Sequence, residues 1–172
     1  MIDAALGSGL ANFNRLPADQ ARAGLLSCCT SPAWVEQMMA ARPYRSIDDV
    51  MALNDRTVAG LTEAELDAAL AGHPRIGERA ATSDKRGWSS QEQAGVGDAT
   101  DDVRRELADG NRDYERRFGH VYLVSATGRT ADEMLALLRR RIGNDPAAEW
   151  EVVREELAKI NRIRLAKLLE GA

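Results

Sequence analysis

Residues 61–74 read LTEAELDAALAGHP, and this stretch contains the signals for both ends of an α helix. Thr62 and Glu65 have the spacing of a capping box, in which each side chain bonds the backbone N–H of the other residue. The leucines that flank this box occupy the two positions of a hydrophobic staple. Glycine followed closely by proline at residues 72–74 then ends the helix. A helix this short and this clearly bounded favours a fold of helices joined by tight turns.

The same start and stop signals recur along the chain, and one run alone is β-like, at residues 122–124. Residues 75–88 have no periodicity and are predicted to form a loop, followed by a short helix capped by Ser89 or Ser90. We expect an all-α, single-domain compact bundle of about seven to nine helices over residues 1–172, with one short extended segment near residues 120–126. The other predicted helices cover residues 18–28, 32–42, 46 onward, 100–118, 130–141 and 146–169.

Length and composition fit one acidic globular domain. The chain has 172 residues, a net charge of −4, two histidines and two cysteines. The negative charge argues against a nucleic-acid partner, and no apolar run approaches the ~20 residues that span a bilayer. No signal-peptide pattern precedes the first helix, so we expect a cytoplasmic protein with reduced, buried Cys28 and Cys29. So few histidine and cysteine side chains favour a protein without a transition metal.

Arg164 interrupts the pattern of the last predicted helix. This helix has an apolar stripe at helical spacing, and Arg164 falls in the middle of it. Arg162 lies about 160° away around the helix and therefore faces elsewhere. A buried arginine needs an anion or several carbonyl groups. Anion binding is therefore as open here as a structural role, either an ion pair with a buried carboxylate or a guanidinium that reaches the edge of the apolar face. The apolar stripe consists of Trp150, Val153, Leu157, Ile160 and Leu168.

His73 and Glu92 each have a structural and a chemical interpretation. His73 extends the apolar face of Leu66 and Leu70, where a purely structural histidine is the more common case. Imidazole is also the side chain best suited to proton transfer near neutral pH. Glu92 fits a capping box with Ser89, or serves acid–base chemistry if it lies near His73.

Two further polar features have structural interpretations. Asn111 lies on the apolar face of its helix and is expected to be a buried hydrogen-bonding residue that joins loops. The arginines at residues 139–141 end a helix, where positive charge suits the helix dipole, so they do not predict a nucleic-acid site.

The chain resembles the 2-oxo-4-hydroxy-4-carboxy-5-ureidoimidazoline (OHCU) decarboxylases over nearly its whole length. Two central motifs carry most of the similarity: His73-Pro74-Arg75-Ile76-Gly77 and Ser90-Gln91-Glu92-Gln93-Ala94-Gly95. Their combination is specific, although neither motif would suffice alone. The similarity continues at Asn111, Tyr114, Arg117-Phe118-Gly119 and Arg162-Ile163-Arg164-Leu165.

This resemblance implies a cofactor-free carboxy-lyase of urate breakdown. Such an enzyme takes OHCU, made from urate by way of 5-hydroxyisourate, and releases CO2 to give (S)-allantoin. It also implies an all-α fold and a homodimer. The residues that match the catalytic pair are His73 and Glu92. The residues that match the substrate contacts are Pro74, Ser89, Ser90, Gln91, Gln93, Tyr122, Leu123, Val124, Ser125, Ala126 and Arg164.

The segment after Gly119 departs from that family. His120-Val121-Tyr122-Leu123 stands where the family usually has Phe-Pro-Phe-Val, so the backbone path at this point is open. Two other functions also remain open: a helical lyase that acts on a related ureide, and a non-catalytic helical dimerisation module. The order of the proton transfers through His73 is not determined by the residues.

Overall fold

The computed structural model describes residues 2–77 and 88–171, and helices dominate both ranges. Within these ranges there are nine α helices and one 3-10 helix, and no strand, which confirms the predicted all-α fold. The 3-10 helix is Ala94–Val96. The α helices are α1 (Ile2–Arg15), α2 (Ala18–Cys28), α3 (Pro32–Ala40), α4 (Ile47–Gly60), α5 (Glu63–Leu70), α6 (Trp88–Glu92), α7 (Asp101–Phe118), α8 (Ala131–Arg141) and α9 (Pro146–Glu170).

Side-chain caps fix the helix starts at the predicted positions. In the capping box before α5, the Thr62 N–H donates to the Glu65 carboxylate at 2.8 Å, and the Glu65 N–H donates to Thr62 Oγ1 at 3.3 Å. At the other end, α7 stops at Gly119, whose φ of 80° favours glycine. Hydroxyl caps precede four further helices, at Ser31, Ser46, Thr100 and Thr130.

Helix α1 was not predicted, because long-range packing stabilises it and no local cap signals it. Leu10 and Phe13 lie one turn apart on its buried face. Gly9 allows a close helix crossing, since a Cβ at this position would lie 1.5 Å from the carbonyl oxygen of Leu169 in α9. A pattern of caps along the sequence cannot reveal such a contact between the two ends of the chain.

The chain groups into two compact units. The first unit comprises Met1–Ala69 and Ala158–Ala172, and the second comprises Leu70–Leu157. Helix α9 therefore contributes its N-terminal half to the second unit and its C-terminal half to the first. The predicted single-domain organisation of residues 1–172 stays a prediction.

In the first unit, a buried polar contact links α3, α4 and α9 through the apolar core. The indole Nε1 of Trp34 donates to Asn54 Oδ1 at 3.0 Å, and Asn54 Nδ2 donates to the carbonyl oxygen of Ala158 at 3.2 Å. Cys28 and Cys29 are buried free thiols, as predicted.

In the second unit, a buried ion pair lies against an aromatic core. Arg141 is 4% exposed and Glu149 is 0% exposed, and the Arg141 Nε and terminal nitrogen donate to Glu149 Oε1 at 2.8 and 2.6 Å. Tyr114 and Asn144 also donate to this carboxylate. The second terminal nitrogen of Arg141 donates to the carbonyl oxygen of Leu123 at 2.7 Å. The surrounding core contains Leu107, Tyr122, Met134, Leu135 and Leu138.

Replacing Gly9 by alanine tests the close crossing of α1 and α9. We expect Gly9→Ala to lower the free energy of unfolding by ~1–3 kcal/mol, because the methyl group overlaps the Leu169 carbonyl. Gly60→Ala is the matched control, since nothing lies within 4 Å of a Cβ at that position. Urea denaturation followed by circular dichroism measures both variants. Equal stability of the two would contradict the crossing.

Removing one partner tests the buried ion pair of the second unit. Arg141→Met leaves the Glu149 carboxylate buried without a positive partner, so we expect a loss of ~3–5 kcal/mol of stability. The neighbouring Arg140 is exposed, and Arg140→Met should change stability little. Thermal unfolding of the two variants makes the comparison, and a similar small effect of both would show that the pair contributes nothing.

Candidate active site

Gln93 ties the two central motifs together. The Gly77 N–H donates to Gln93 Oε1 at 2.9 Å, and Gln93 Nε2 donates to the carbonyl oxygen of Arg75 at 3.5 Å. Gln93 directly follows Glu92, and Arg75 lies two residues after His73. These bonds place the segments that carry His73 and Glu92 next to each other.

The segment after His73 is also fixed to α7. Arg75 makes a two-pronged ion pair with Glu115, with distances of 2.6 Å from Nε to Oε1 and 2.8 Å from the terminal nitrogen to Oε2. This hydrogen-bonded pair holds the pKa of Glu115 below its usual range. Asn111 is buried and its Nδ2 donates to the carbonyl oxygen of Ile76 at 3.1 Å, which confirms the predicted buried hydrogen-bonding role, although it joins one loop to α7 and not two loops.

His73 and Pro74 therefore begin a loop that is held at several points. The His73 N–H donates to the carbonyl oxygen of Leu70 at 2.9 Å and closes the last turn after α5. Both His73 and Pro74 are half-buried. The predicted loop continues from Arg75, but its residues 78–87 lie outside the described part of the chain.

Helix α6 begins earlier than the sequence predicts. Its first residue is Trp88, so Ser89 and Ser90 lie in its first turn and the predicted serine cap is wrong. Glu92, the last residue of α6, is half-buried, while Gln91 is exposed. The side chains of Ser89 and Ser90 lie outside the described structure. The capping-box interpretation of Glu92 loses its basis, because a box requires the serine before the helix.

Gly95 ends the second central motif and packs closely against the loop that contains Arg129. A Cβ at Gly95 would lie 2.0 Å from the carbonyl oxygen of Arg129, so only glycine permits this approach. Arg129 follows closely on the predicted substrate-binding residues 122–126, which we call the 122–126 segment. Close packing against the Arg129 loop therefore explains why the second motif ends in glycine.

The 122–126 segment forms neither helix nor strand. Side chains fix its path by bonding its peptide groups. Arg141 donates to the Leu123 carbonyl at 2.7 Å, the Ser125 N–H donates to Glu156 at 2.7 Å, and Arg129 Nε donates to the Ser125 carbonyl at 3.0 Å. These bonds determine the backbone path here, where this chain has no counterpart of the proline that usually follows the first aromatic residue in the family.

The aromatic side chains at the start of this stretch lie in the core. Tyr122 is buried and its hydroxyl donates to the carbonyl oxygen of Met134 at 3.1 Å. Burial raises the pKa of Tyr122 to about 12. His120 is buried as well, with its ring 4.2 Å from that of Trp150 and 5.5 Å from that of Tyr114, centre to centre. His120 therefore anchors the entry to the 122–126 segment.

Arg164 lies in the first unit and is 5% exposed, as the helical-face argument predicts. One of its terminal nitrogens donates to the carbonyl oxygen of Cys28 at 3.2 Å. Arg162, in contrast, is 47% exposed at its side chain and pairs with Asp55, with 2.9 Å from Nε to Oδ1. Burial raises the pKa of Cys29 to about 11, and the nearby Arg164 charge partly opposes this rise.

Three residues near the site were not predicted: Arg129, Arg141 and Glu156. Arg141 was interpreted only as a cation at a helix end, although it is buried. Glu156 lies three residues after Val153 and next to Leu157, at the edge of the apolar stripe of α9. Helical periodicity could therefore have predicted that this carboxylate is buried.

Within residues 2–77 and 88–171, no cluster of three or more metal-binding side chains is found. Among the helices described there, none has the length and apolar character to cross a membrane.

Comparisons with known proteins agree with these features. Residues 14–166 match the family described as OHCU decarboxylase. The 2-oxo-4-hydroxy-4-carboxy-5-ureidoimidazoline decarboxylase of Amia calva is 28% identical over 144 residues, which cover 81% of each chain. The uric acid degradation bifunctional protein TTL of Arabidopsis thaliana is 29% identical over 145 residues, covering 82% of this chain. The chain spans only 45% of the length of that bifunctional relative.

Solved structures show the same fold. A crystal structure of OHCU decarboxylase in the presence of (S)-allantoin has a TM-score of 0.72 and 27% identity, covering 84% of this chain and 95% of the other. A crystal structure of (S)-allantoin synthase has a TM-score of 0.68 and 18% identity, covering 92% of this chain and 53% of the other, and supports the fold alone. Because the family match spans most of the chain, from residue 14 to residue 166, this protein belongs to the OHCU decarboxylase family.

Proposed function

We propose that this protein catalyses the decarboxylation of OHCU to (S)-allantoin in urate breakdown. The observation that supports this most directly is the pair of Gln93 bonds, which join the segments carrying His73 and Glu92. The relatives named as OHCU decarboxylases supply the substrate of the proposal.

The chemistry needs an acid–base group and a binding site for an anion. Loss of CO2 leaves an electron pair on a ring carbon, and the conjugated C=N system of OHCU accepts it. Because the substrate supplies this electron sink, we propose no organic cofactor. Protonation of the neighbouring ring carbon, which bears the ureido group, on one face then sets the configuration of the product. The hydroxyl group on the carbon that lost CO2 gives up its proton and becomes the carbonyl group of allantoin.

His73 is the proposed proton carrier, and Glu92 its partner. His73 either donates the proton to the ring carbon or first accepts the proton of the substrate hydroxyl group. The Glu92 carboxylate orients and stabilises the imidazolium or holds polar groups of the substrate. General acid–base catalysis of this kind contributes a rate factor of ~10²–10⁴.

The proposed substrate contacts divide between side chains and backbone. We propose that Pro74, Ser89, Ser90 and Gln91 line the site beside His73 and Glu92. Gln93 already bonds two peptide groups, so its contribution is to hold the His73 loop in place. The Arg164 guanidinium would bind an anionic or carbonyl edge of the substrate.

In the 122–126 segment, the peptide groups of Val124 are the best candidates for ligand hydrogen bonds. The Leu123 carbonyl and both peptide groups of Ser125 are occupied by side chains. Among the described residues, no group bonds the N–H or the C=O of Val124. The side chains of Tyr122 and Ala126 are buried, so we propose that these two residues contribute through their backbone on either side.

We also propose a single-domain homodimer in the cytoplasm, of which the dimer alone rests on the family resemblance. Two alternatives to the proposed activity are a lyase for a related ureide and a non-catalytic dimerisation module. An activity assay with OHCU distinguishes the proposed reaction from both. Purified protein given freshly generated OHCU should accelerate its decay and yield optically active allantoin. A racemic product formed at the uncatalysed rate would exclude the proposed reaction.

Replacing His73 tests its role in proton transfer. We expect His73→Asn to lower kcat by at least ~10²-fold while the helical circular dichroism and Tm stay close to those of the unaltered protein. The asparagine keeps a polar side chain of similar size. If turnover persists and only the Tm falls, His73 is a structural residue.

Replacing the two arginines of α9 separates their roles. We expect Arg164→Met to raise KM for OHCU by about tenfold or more, because a hydrogen bond to a charged group contributes ~1.5–3 kcal/mol. Arg162→Met removes an exposed ion pair and should leave KM unchanged. Steady-state kinetics of both variants decide this, and equal effects would refute the assignment of Arg164.

A further inference from the structure

We infer that Glu156 is a positioning residue for the reaction: its carboxylate orients the Val124 carbonyl toward the ligand by holding the Ser125 N–H. This inference rests on the proposed function, because it assigns a purpose to the 122–126 segment. Glu156 bonds the backbone of Ser125 and would act through it.

The burial of Glu156 requires a reason. Glu156 is 7% exposed and lies on α9 beside Val153 and Leu157, both 0% exposed. A carboxylate in such surroundings is costly unless hydrogen bonds compensate the lost hydration. The Ser125 N–H donates to Glu156 Oε2 at 2.7 Å and supplies such a bond.

Two more side chains hold the same stretch of backbone from other directions. Arg129 Nε donates to the Ser125 carbonyl at 3.0 Å, so the two peptide groups of Ser125 are held by opposite charges. Arg141 donates to the Leu123 carbonyl at 2.7 Å. The residues on both sides of Val124 are thus anchored, while Val124 has no hydrogen-bond partner among the described residues.

Peptide planarity transmits these anchors to Val124. In a trans peptide unit, the C=O and N–H groups point in opposite directions. The Val124 carbonyl shares its peptide unit with the Ser125 N–H, so the bond to Glu156 makes that carbonyl point away from Glu156. In the same way, the bond from Arg141 to the Leu123 carbonyl sets the direction of the Val124 N–H. Glu156 therefore fixes an acceptor, which suits a ligand with N–H donors such as a ureido group.

A matched set of variants separates positioning from mere stability. Glu156→Gln keeps an oxygen that accepts the Ser125 N–H, whereas Glu156→Leu removes the acceptor at similar volume. Glu155→Leu is the control, because Glu155 is the exposed neighbour on the same helix. We expect Glu156→Leu to raise KM for OHCU and Kd for (S)-allantoin by about tenfold, or ~1.4 kcal/mol.

The glutamine variant should restore KM to within about threefold of the unaltered protein, and kcat should vary within a similar factor in all three variants. A structural role alone would lower the Tm of Glu156→Leu without changing KM. Unchanged KM and Kd in Glu156→Leu, or a glutamine variant as impaired as the leucine variant, would overturn the inference.

Amide hydrogen exchange tests the same bond without any turnover. The Ser125 amide should exchange at least about tenfold faster in Glu156→Leu than in Glu155→Leu, as expected when a protecting hydrogen bond is lost. Equal exchange at Ser125 in these two variants would overturn the inference whatever the activity. Failure of the unaltered protein to decarboxylate OHCU would instead overturn the proposed function, so the two failures are distinguishable.

Discussion

The buried ion pair between Arg141 and Glu149 is the constraint on which the second unit depends. It joins the end of α8 to the first turn of α9 and accepts the Tyr114 hydroxyl of α7 into the same network. The spare donor of Arg141 bonds the Leu123 carbonyl, so the 122–126 segment is part of this network. Because a buried charge without its partner is costly, loss of this pair would disturb the core and the 122–126 segment together.

Most of the fold could be predicted from the sequence because helix ends are local. The capping boxes at Thr62 and Thr130 need only residues within one turn, and both appear in the structure. Helix α1 depends on Gly9 meeting Leu169 at the other end of the chain, a contact that no local pattern contains. The early start of α6 at Trp88 was also missed, since two serines gave a misleading cap signal.

The candidate site was predictable where periodicity or a motif determined it. The opposite faces of Arg162 and Arg164 followed from their angular separation on α9, and their exposures agree with it. The bonding roles of Gln93 and Glu156 were not predictable, because both depend on backbone groups brought close by tertiary packing. In the 122–126 segment, hydrogen bonds from charged side chains restrict the backbone, as a proline would otherwise have done.

The two adjacent cysteines give this protein a built-in reporter of local opening. Burial raises the pKa of the Cys29 thiol to about 11, so the reactive thiolate is scarce at neutral pH, and burial excludes reagents as well. Alkylation of the folded protein must therefore wait for the C-terminal end of α2 to open. Since Arg164 bonds the Cys28 carbonyl, opening at this point also breaks a contact between α2 and α9.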